Sequence, residues 1–275
     1  MESTSSSSFI GIGLKTKYGK HYYNEELYRY FCPRNKKITT MANEYFRFKQ
    51  FEVWHDKCAM KVGTDGVLLG AMAPAEGARR VLDIGTGTGL VALMMAQRCP
   101  EAEITAVEIV GEAARQAEEN VARSPWSNRI RVVNADFKSF TDARRFDTIV
   151  SNPPYFAESL TSPDRDRTSA RHTTELDFMT LVRHAAELLT PDGTLTIIIP
   201  TSVVTNIEKI AAAYGLCSVR RVVVANRPGA APKRTIDTLA FTPRTREDEV
   251  VYMKDKNDNY TDKYCSYVNK FYLKM

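Results

Sequence analysis

From residue 80 onward, short apolar runs alternate with amphipathic stretches at helical spacing, the rhythm of successive βα units. The runs Arg80 to Ile84, Ala102 to Val107, Ile130 to Val133, Phe146 to Ser151 and Thr194 to Ile199 predict strands of a largely parallel sheet. Helices are predicted over Leu90 to Arg98, Val110 to Arg123, Leu176 to Leu189 and Val203 to Tyr214, with stops at Ser124-Pro125, Thr190-Pro191-Asp192-Gly193 and Gly215. Two further runs, Val219 to Ala225 and Thr235 to Phe241, flank Asn226 to Arg234, whose tip carries Arg227, Lys233 and Arg234. That reads as a hairpin and leaves one antiparallel strand at the sheet edge. The expectation is a doubly wound α/β fold with a mostly parallel, seven-stranded sheet and one antiparallel edge strand.

Tyr45 to Gln50 alternates aromatic and basic residues and predicts a short two-faced strand or arm. Further on, Gly63 and Thr64-Asp65 punctuate the start of an apolar helix, with Thr64 or Asp65 as its N-cap. Capping alone explains these residues, but a helix N-terminus also offers a hydroxyl, a carboxylate and free N–H groups to a ligand carrying both an ammonium and a carboxylate. Toward the C-terminus, Tyr264, Tyr267, Val268 and Phe271 recur at helical spacing and predict a helix over Asp262 to Leu273 that docks on the core. Residues 1–40 open on a serine run and show no clear period. They predict a poorly ordered extension, with Met41 as a candidate true start and 41–275 as a single domain with a helical tail.

The hydrophobic share of 43% and charged share of 26% are those of an ordinary soluble domain, and 275 residues suffice for one full core. No apolar run is long enough to span a bilayer and no secretory signal is visible, so a cytoplasmic protein without a membrane partner is expected. Five scattered cysteines without a Cys-x-x-Cys pair fit a reducing compartment and speak against structural zinc; no metal is expected. The formal charge of +5 invites a nucleic-acid partner, but most of it lies in residues 1–40, where seven basic residues face three acidic ones. Any RNA contact must rest on local patches.

The chemistry gathers at strand ends. Asp83 precedes Gly85-Thr86-Gly87-Thr88-Gly89, a strand–turn–helix in which glycines allow a tight turn and close ligand approach. The spacing is D-x-G-x-G-x-G rather than the pyrophosphate-binding G-x-G-x-x-G, and an acid ahead of the turn suits a cationic ligand such as S-adenosylmethionine better than a dinucleotide. Glu108 ends the next strand, placed either for two ribose hydroxyls or as a solvated helix-start acid. Asp136 follows the third strand, where it could accept from an adenine amino group, and Phe137 after it is either ring contact or core. The fourth strand runs into Asn152-Pro153-Pro154-Tyr155. Two prolines fix φ and force the chain out of the sheet, leaving carbonyls without local partners. The stretch reads either as a proline-rich turn or as a clamp in which the Asn152 side-chain oxygen and Pro153 carbonyl hold the two hydrogens of an exocyclic amine while Tyr155 stacks on its ring. Beyond it, residues 157–174 form a long polar loop with Arg165 and Arg171, a candidate lid or substrate contact.

Together these motifs resemble the class I S-adenosylmethionine-dependent methyltransferases, a Rossmann-like family, in their amino-methylating Asn-Pro-Pro-Tyr branch. Phe46 to Phe51, His55 to Gly70 and Arg227 to Arg234 make the chain similar to the bacterial tRNA1(Val) adenine N6-methyltransferase family. The resemblance implies a monomeric enzyme that methylates an anticodon-loop adenine of a valine tRNA. It implies that Thr64 and Asp65 lie near the methionine end of the cofactor, lined also by Asp83, Gly85 and Gly87. Glu108 would hold the ribose, Asp136 the cofactor adenine, and Asn152, Pro153 and Tyr155 the target base, with Arg165, Arg171, Arg227, Lys233 and Arg234 as RNA contacts. Two alternatives are a glutamine N5-methyltransferase acting on peptide release factors, since a side-chain amide fits the same clamp, and a cofactor-binding RNA chaperone without catalysis.

Overall fold

In the structure, a computed structural model, residues 44–58, 61–154 and 177–274 are described. The 1–40 extension, Tyr155, and the 157–174 loop with Arg165 and Arg171 lie outside them.

Strand β3 (Arg80–Ile84) is the pivot, because its neighbours extend the sheet in two directions. On one side lie β4 (Glu103–Glu108) and β5 (Ile130–Asn134); on the other lie β6 (Phe146–Ser151) and β7 (Leu189–Pro200), all parallel. Beyond β7 come β9 (Arg234–Ala240), β8 (Cys217–Ala225) and β10 (Glu247–Tyr252), giving the order β10-β8-β9-β7-β6-β3-β4-β5.

The mostly parallel α/β sheet is present, but the edge differs from the expectation. The antiparallel strand β9 is an interior strand, paired to β7 on one side and β8 on the other. Its residues explain this: Thr235 to Ala240 are all buried, which needs a neighbour on each side, and buried Asp237 is satisfied by Arg221 at 2.8 Å and Ser218 at 2.6 Å. An eighth strand, β10, forms the edge and runs parallel to β8. Its sequence Glu247-Asp248-Glu249-Val250-Val251-Tyr252 reads as charged tail because only Val251 is buried, while Glu249 is held by Arg220, Lys263 and Tyr267.

Helices α1 (Thr64–Met72), α2 (Leu90–Arg98) and α3 (Gly111–Ala122) pack on one face of the sheet with α6 (Asp262–Val268); α4 (Phe178–Leu188) and α5 (Val204–Ala213) cover the other. The N-cap of α1 is Gly63, without a side-chain hydrogen bond, so Thr64 and Asp65 are its first two helical residues and not its cap. α1 lies very close to α2: a Cβ on Gly66 would stand 3.0 Å from Leu90, and one on Gly70 2.8 Å from Met94. The predicted stop Thr190-Pro191-Asp192-Gly193 lies within β7. There α4 passes directly into the strand, and these residues stand opposite Asp147 alone, between the pairs Phe146↔Leu189 and Thr148↔Thr194.

The aromatic arm is a small hairpin of β1 (Tyr45–Arg47) and β2 (Glu52–Trp54). Phe46 and Phe48 pack on Tyr272, and Lys49 N donates to Phe271 O at 2.7 Å, so the tail docks as expected, although its helix ends at Val268.

Candidate active site

The strand ends are in register. Ile84 pairs with Ser151 of β6 and with Val107 of β4, and Glu108 pairs with Asn134 of β5. Gly85 and Asn152 therefore leave the sheet from adjacent positions, and Ser151 Oγ donating to Ile84 O at 3.0 Å ties the two exits together. This is where the strand order reverses, the place open α/β sheets offer to ligands.

The glycine turn is built by hydrogen bonds to β4. Gly85 N and Thr86 N both donate to Val107 O, and Gly87 N donates to Glu108 Oε2 at 2.8 Å. Gly85 and Gly87 have φ of +69° and +57°, and a Cβ added to either meets nothing within 4 Å. Glycine is thus needed there for conformation, and the turn presents bare backbone to open space. Glu108 is 8% exposed; its Oε1 accepts from Val110 N at 2.9 Å. An ionised carboxylate has about four lone-pair sites, so each oxygen keeps capacity for a hydroxyl donor.

Asp83 is 1% exposed, beneath the turn rather than in it, and its Oδ2 accepts from Thr86 Oγ1 and from Ala92 N at 3.1 Å. Burial pushes its carboxyl up to about 7 against the opposing pull of those two hydrogen bonds, and the nearby Glu108 charge adds to the rise. Asp136 is half-buried and caps a short 3-10 helix, Phe137–Ser139, by accepting from Lys138 N at 2.9 Å. Phe137 is core: it is buried edge-on against His184. Asn152 is half-buried, Pro153 buried and Pro154 exposed.

Thr64 and Asp65 reach this edge because Gly66 presses on Leu90, the residue that follows the glycine turn. Asp65 Oδ2 is engaged by Arg234 Nε at 2.7 Å. Arg234 therefore stands beside the first turn of α1, whereas Lys233 and Arg227 remain exposed, the latter paired with Asp258 at 3.2 Å.

Two fully buried amides on α3 were not singled out from sequence. Asn120 holds Trp54 N and O and donates to Thr88 O at 2.8 Å, and Gln116 Oε1 accepts from Lys57 N at 2.9 Å. They fasten the segment after β2 over the glycine turn. Gln116 Nε2 is buried without a hydrogen-bond partner. Their signal is polarity at positions 116 and 120, within the buried stripe Ala113, Ala117 and Val121. Among the described residues no group of three His, Cys, Asp or Glu is placed to hold a metal, and no helix is long and apolar enough to cross a membrane.

Comparison with known proteins agrees with this geometry. Residues 58–219 match the family described as Methyltransferase small domain. The chain is 49% identical over 238 residues to a tRNA1(Val) (adenine(37)-N6)-methyltransferase of Bacteroides fragilis, covering 86% of this chain and 100% of that one. It is 50% identical over 236 residues to the Bacteroides thetaiotaomicron protein of the same name, with the same coverage. A protein of that name from Escherichia coli O157:H7 is 43% identical over 246 residues, covering 88% of this chain and 100% of its own. A crystal structure of a predicted O-methyltransferase from Agrobacterium tumefaciens shares the fold, with a TM-score of 0.59 at 22% identity over 75% of this chain and 96% of that one. Identity at this level over the full length of the relatives, on a class I methyltransferase sheet, means that the chain belongs to the tRNA1(Val) (adenine(37)-N6)-methyltransferase family.

Proposed function

We propose that this protein transfers the methyl group of S-adenosylmethionine to the N6 amino group of the adenine at position 37, in the anticodon loop of a valine tRNA. The observation that carries the reading is the register Ile84↔Ser151, which sets the glycine turn and the Asn152-Pro153 exit side by side. The residues present fit the cofactor. Open backbone at Gly85 and Gly87 leaves room for it, Glu108 keeps acceptor capacity for ribose hydroxyls, and Asp65 offers a carboxylate to its ammonium. When bound, S-adenosylmethionine supplies an electrophilic methyl on a sulfonium.

The protein's part is positioning. Asn152 Oδ1 and the Pro153 carbonyl accept the two amino hydrogens of the adenine, which turns the nitrogen lone pair toward the methyl group, and Tyr155 stacks on the base. Asp136 accepts from the cofactor's own adenine amino group. Because charge disperses during transfer, orientation contributes more than acid–base help. A loop adenine suits such a site, since unstacking costs less than in a duplex. Lys233, Arg227, Arg165 and Arg171 are the RNA-facing cations of this reading, and the protein acts as a monomer.

Purified protein with methyl-labelled cofactor should label unmodified bulk tRNA, with N6-methyladenosine as the only labelled nucleoside. Asn152→Ala should lose most of kcat while retaining cofactor affinity, as expected for an interaction made chiefly in the transition state. Label in release-factor protein and none in tRNA would replace this reading with glutamine methylation.

A further inference from the structure

The bond between Arg234 and Asp65 joins residues 169 apart in sequence, and both of its ends are anchored by backbone. Arg234 opens β9, in register with Pro200 of β7 and Val224 of β8, and its Nη1 also donates to Lys233 O at 3.1 Å. Asp65 stands on the first turn of α1, which cannot slide toward α2 because Gly66 and Gly70 already touch Leu90 and Met94. Ion pairs between flexible exposed side chains contribute little to stability. With side chains 33% and 25% exposed and both backbones fixed, this pair matters more for geometry than for stability.

Arg234 Nε donates to Oδ2, while Oδ1 has no protein donor among the described residues. A guanidinium offers that N–H in a fixed plane, which a lysine ammonium does not. We propose that Arg234 is a positioning residue for the cofactor: it holds the Asp65 carboxylate in one orientation, with Oδ1 left to receive the α-ammonium of the methionine half. It is then not a phosphate contact, although its place beside a basic hairpin tip suggests one. The inference rests on the proposed function, because Asp65 meets the methionine half only in that reading.

The test compares two nucleosides on one variant. Arg234→Gln should weaken S-adenosylmethionine binding about tenfold, equivalent to roughly 1.4 kcal/mol. It should leave the affinity for 5′-methylthioadenosine, which has no amino-acid half, unchanged. Asp65→Asn should show the same split, and combining the two should add nothing further, since the residues act as a unit. Arg234→Lys should recover only part of the affinity. The slope of log K against log salt for tRNA should stay at its wild-type value in Arg234→Gln. Equal weakening of both nucleosides would mean a merely structural pair, a slope flatter by about one would mean a phosphate contact, and unchanged affinity for both would mean no role; each overturns the proposal. Wild-type protein that bound the cofactor yet methylated no tRNA would fault the functional reading alone, and the comparison of nucleosides would still decide the role of Arg234.

Discussion

A carboxyl group almost sealed from water must trade charge against burial, and Asp83, held at about 7 by burial, sits at the balance point for neutral solution. Unfolded, the group titrates near 4. Between about 4 and about 7 the folded protein keeps a proton that the unfolded chain releases, so this group lowers stability as pH rises through that window, by about 1.4 kcal/mol per unit, and is level above it. Asp83→Asn should remove that slope: without cofactor the variant should melt higher than wild type at pH 8 and show little gain at pH 4, while binding S-adenosylmethionine more weakly. Melting curves at the two pH values check this, and an equal shift at both would refute it. The places of Asp83 and Glu108 at the ends of their strands beside the glycine turn were legible in the sequence, because the apolar runs before them mark where each strand stops. Gln116 and Asn120 were not, since a polar residue inside a helical stripe looks like an interruption until the segment it fastens is known. The Arg234–Asp65 pair could not be read either, because no local pattern relates two residues so far apart.

At the scale of elements, helix and strand positions followed closely from periodicity; Leu90 to Arg98 and Phe146 to Ser151 coincide with α2 and β6. The misreadings share a cause. A hairpin read from sequence puts one antiparallel strand at the sheet edge, whereas the burial of Thr235 to Ala240 draws β9 between β7 and β8. β10 carries three acids and a single buried residue, and its Glu249 meets Arg220, Lys263 and Tyr267 only in the folded protein. The α1–α2 contact yields a prediction: Gly70→Val must place a Cβ where Met94 already stands, and overpacking of this kind costs about 1–3 kcal/mol. The urea midpoint should fall accordingly, and cofactor affinity should fall with it as α1 carries Asp65 away. A variant with an unchanged midpoint would show that α2 yields without strain.

For the molecule as a whole, the formal charge of +5 says little about RNA, because residues 1–40 hold most of it. Binding should instead depend on a few cations near the rim. Lys233→Gln should flatten the salt dependence of tRNA binding by about one unit on a logarithmic plot, leaving cofactor affinity unaltered; an unchanged slope would remove Lys233 from the interface.

The docking of the tail on the aromatic arm has a consequence for how the protein is made. Phe271 and Tyr272 are among the last residues of the chain, yet they complete the packing of Phe46 and Phe48, near the start of the described residues. Synthesis is vectorial, at about 5–20 residues per second, so the arm emerges first and must wait for nearly the whole chain. The aromatic arm therefore completes its packing late, after Gln116 and Asn120 of α3 are already in place to fasten the segment that β2 leads into.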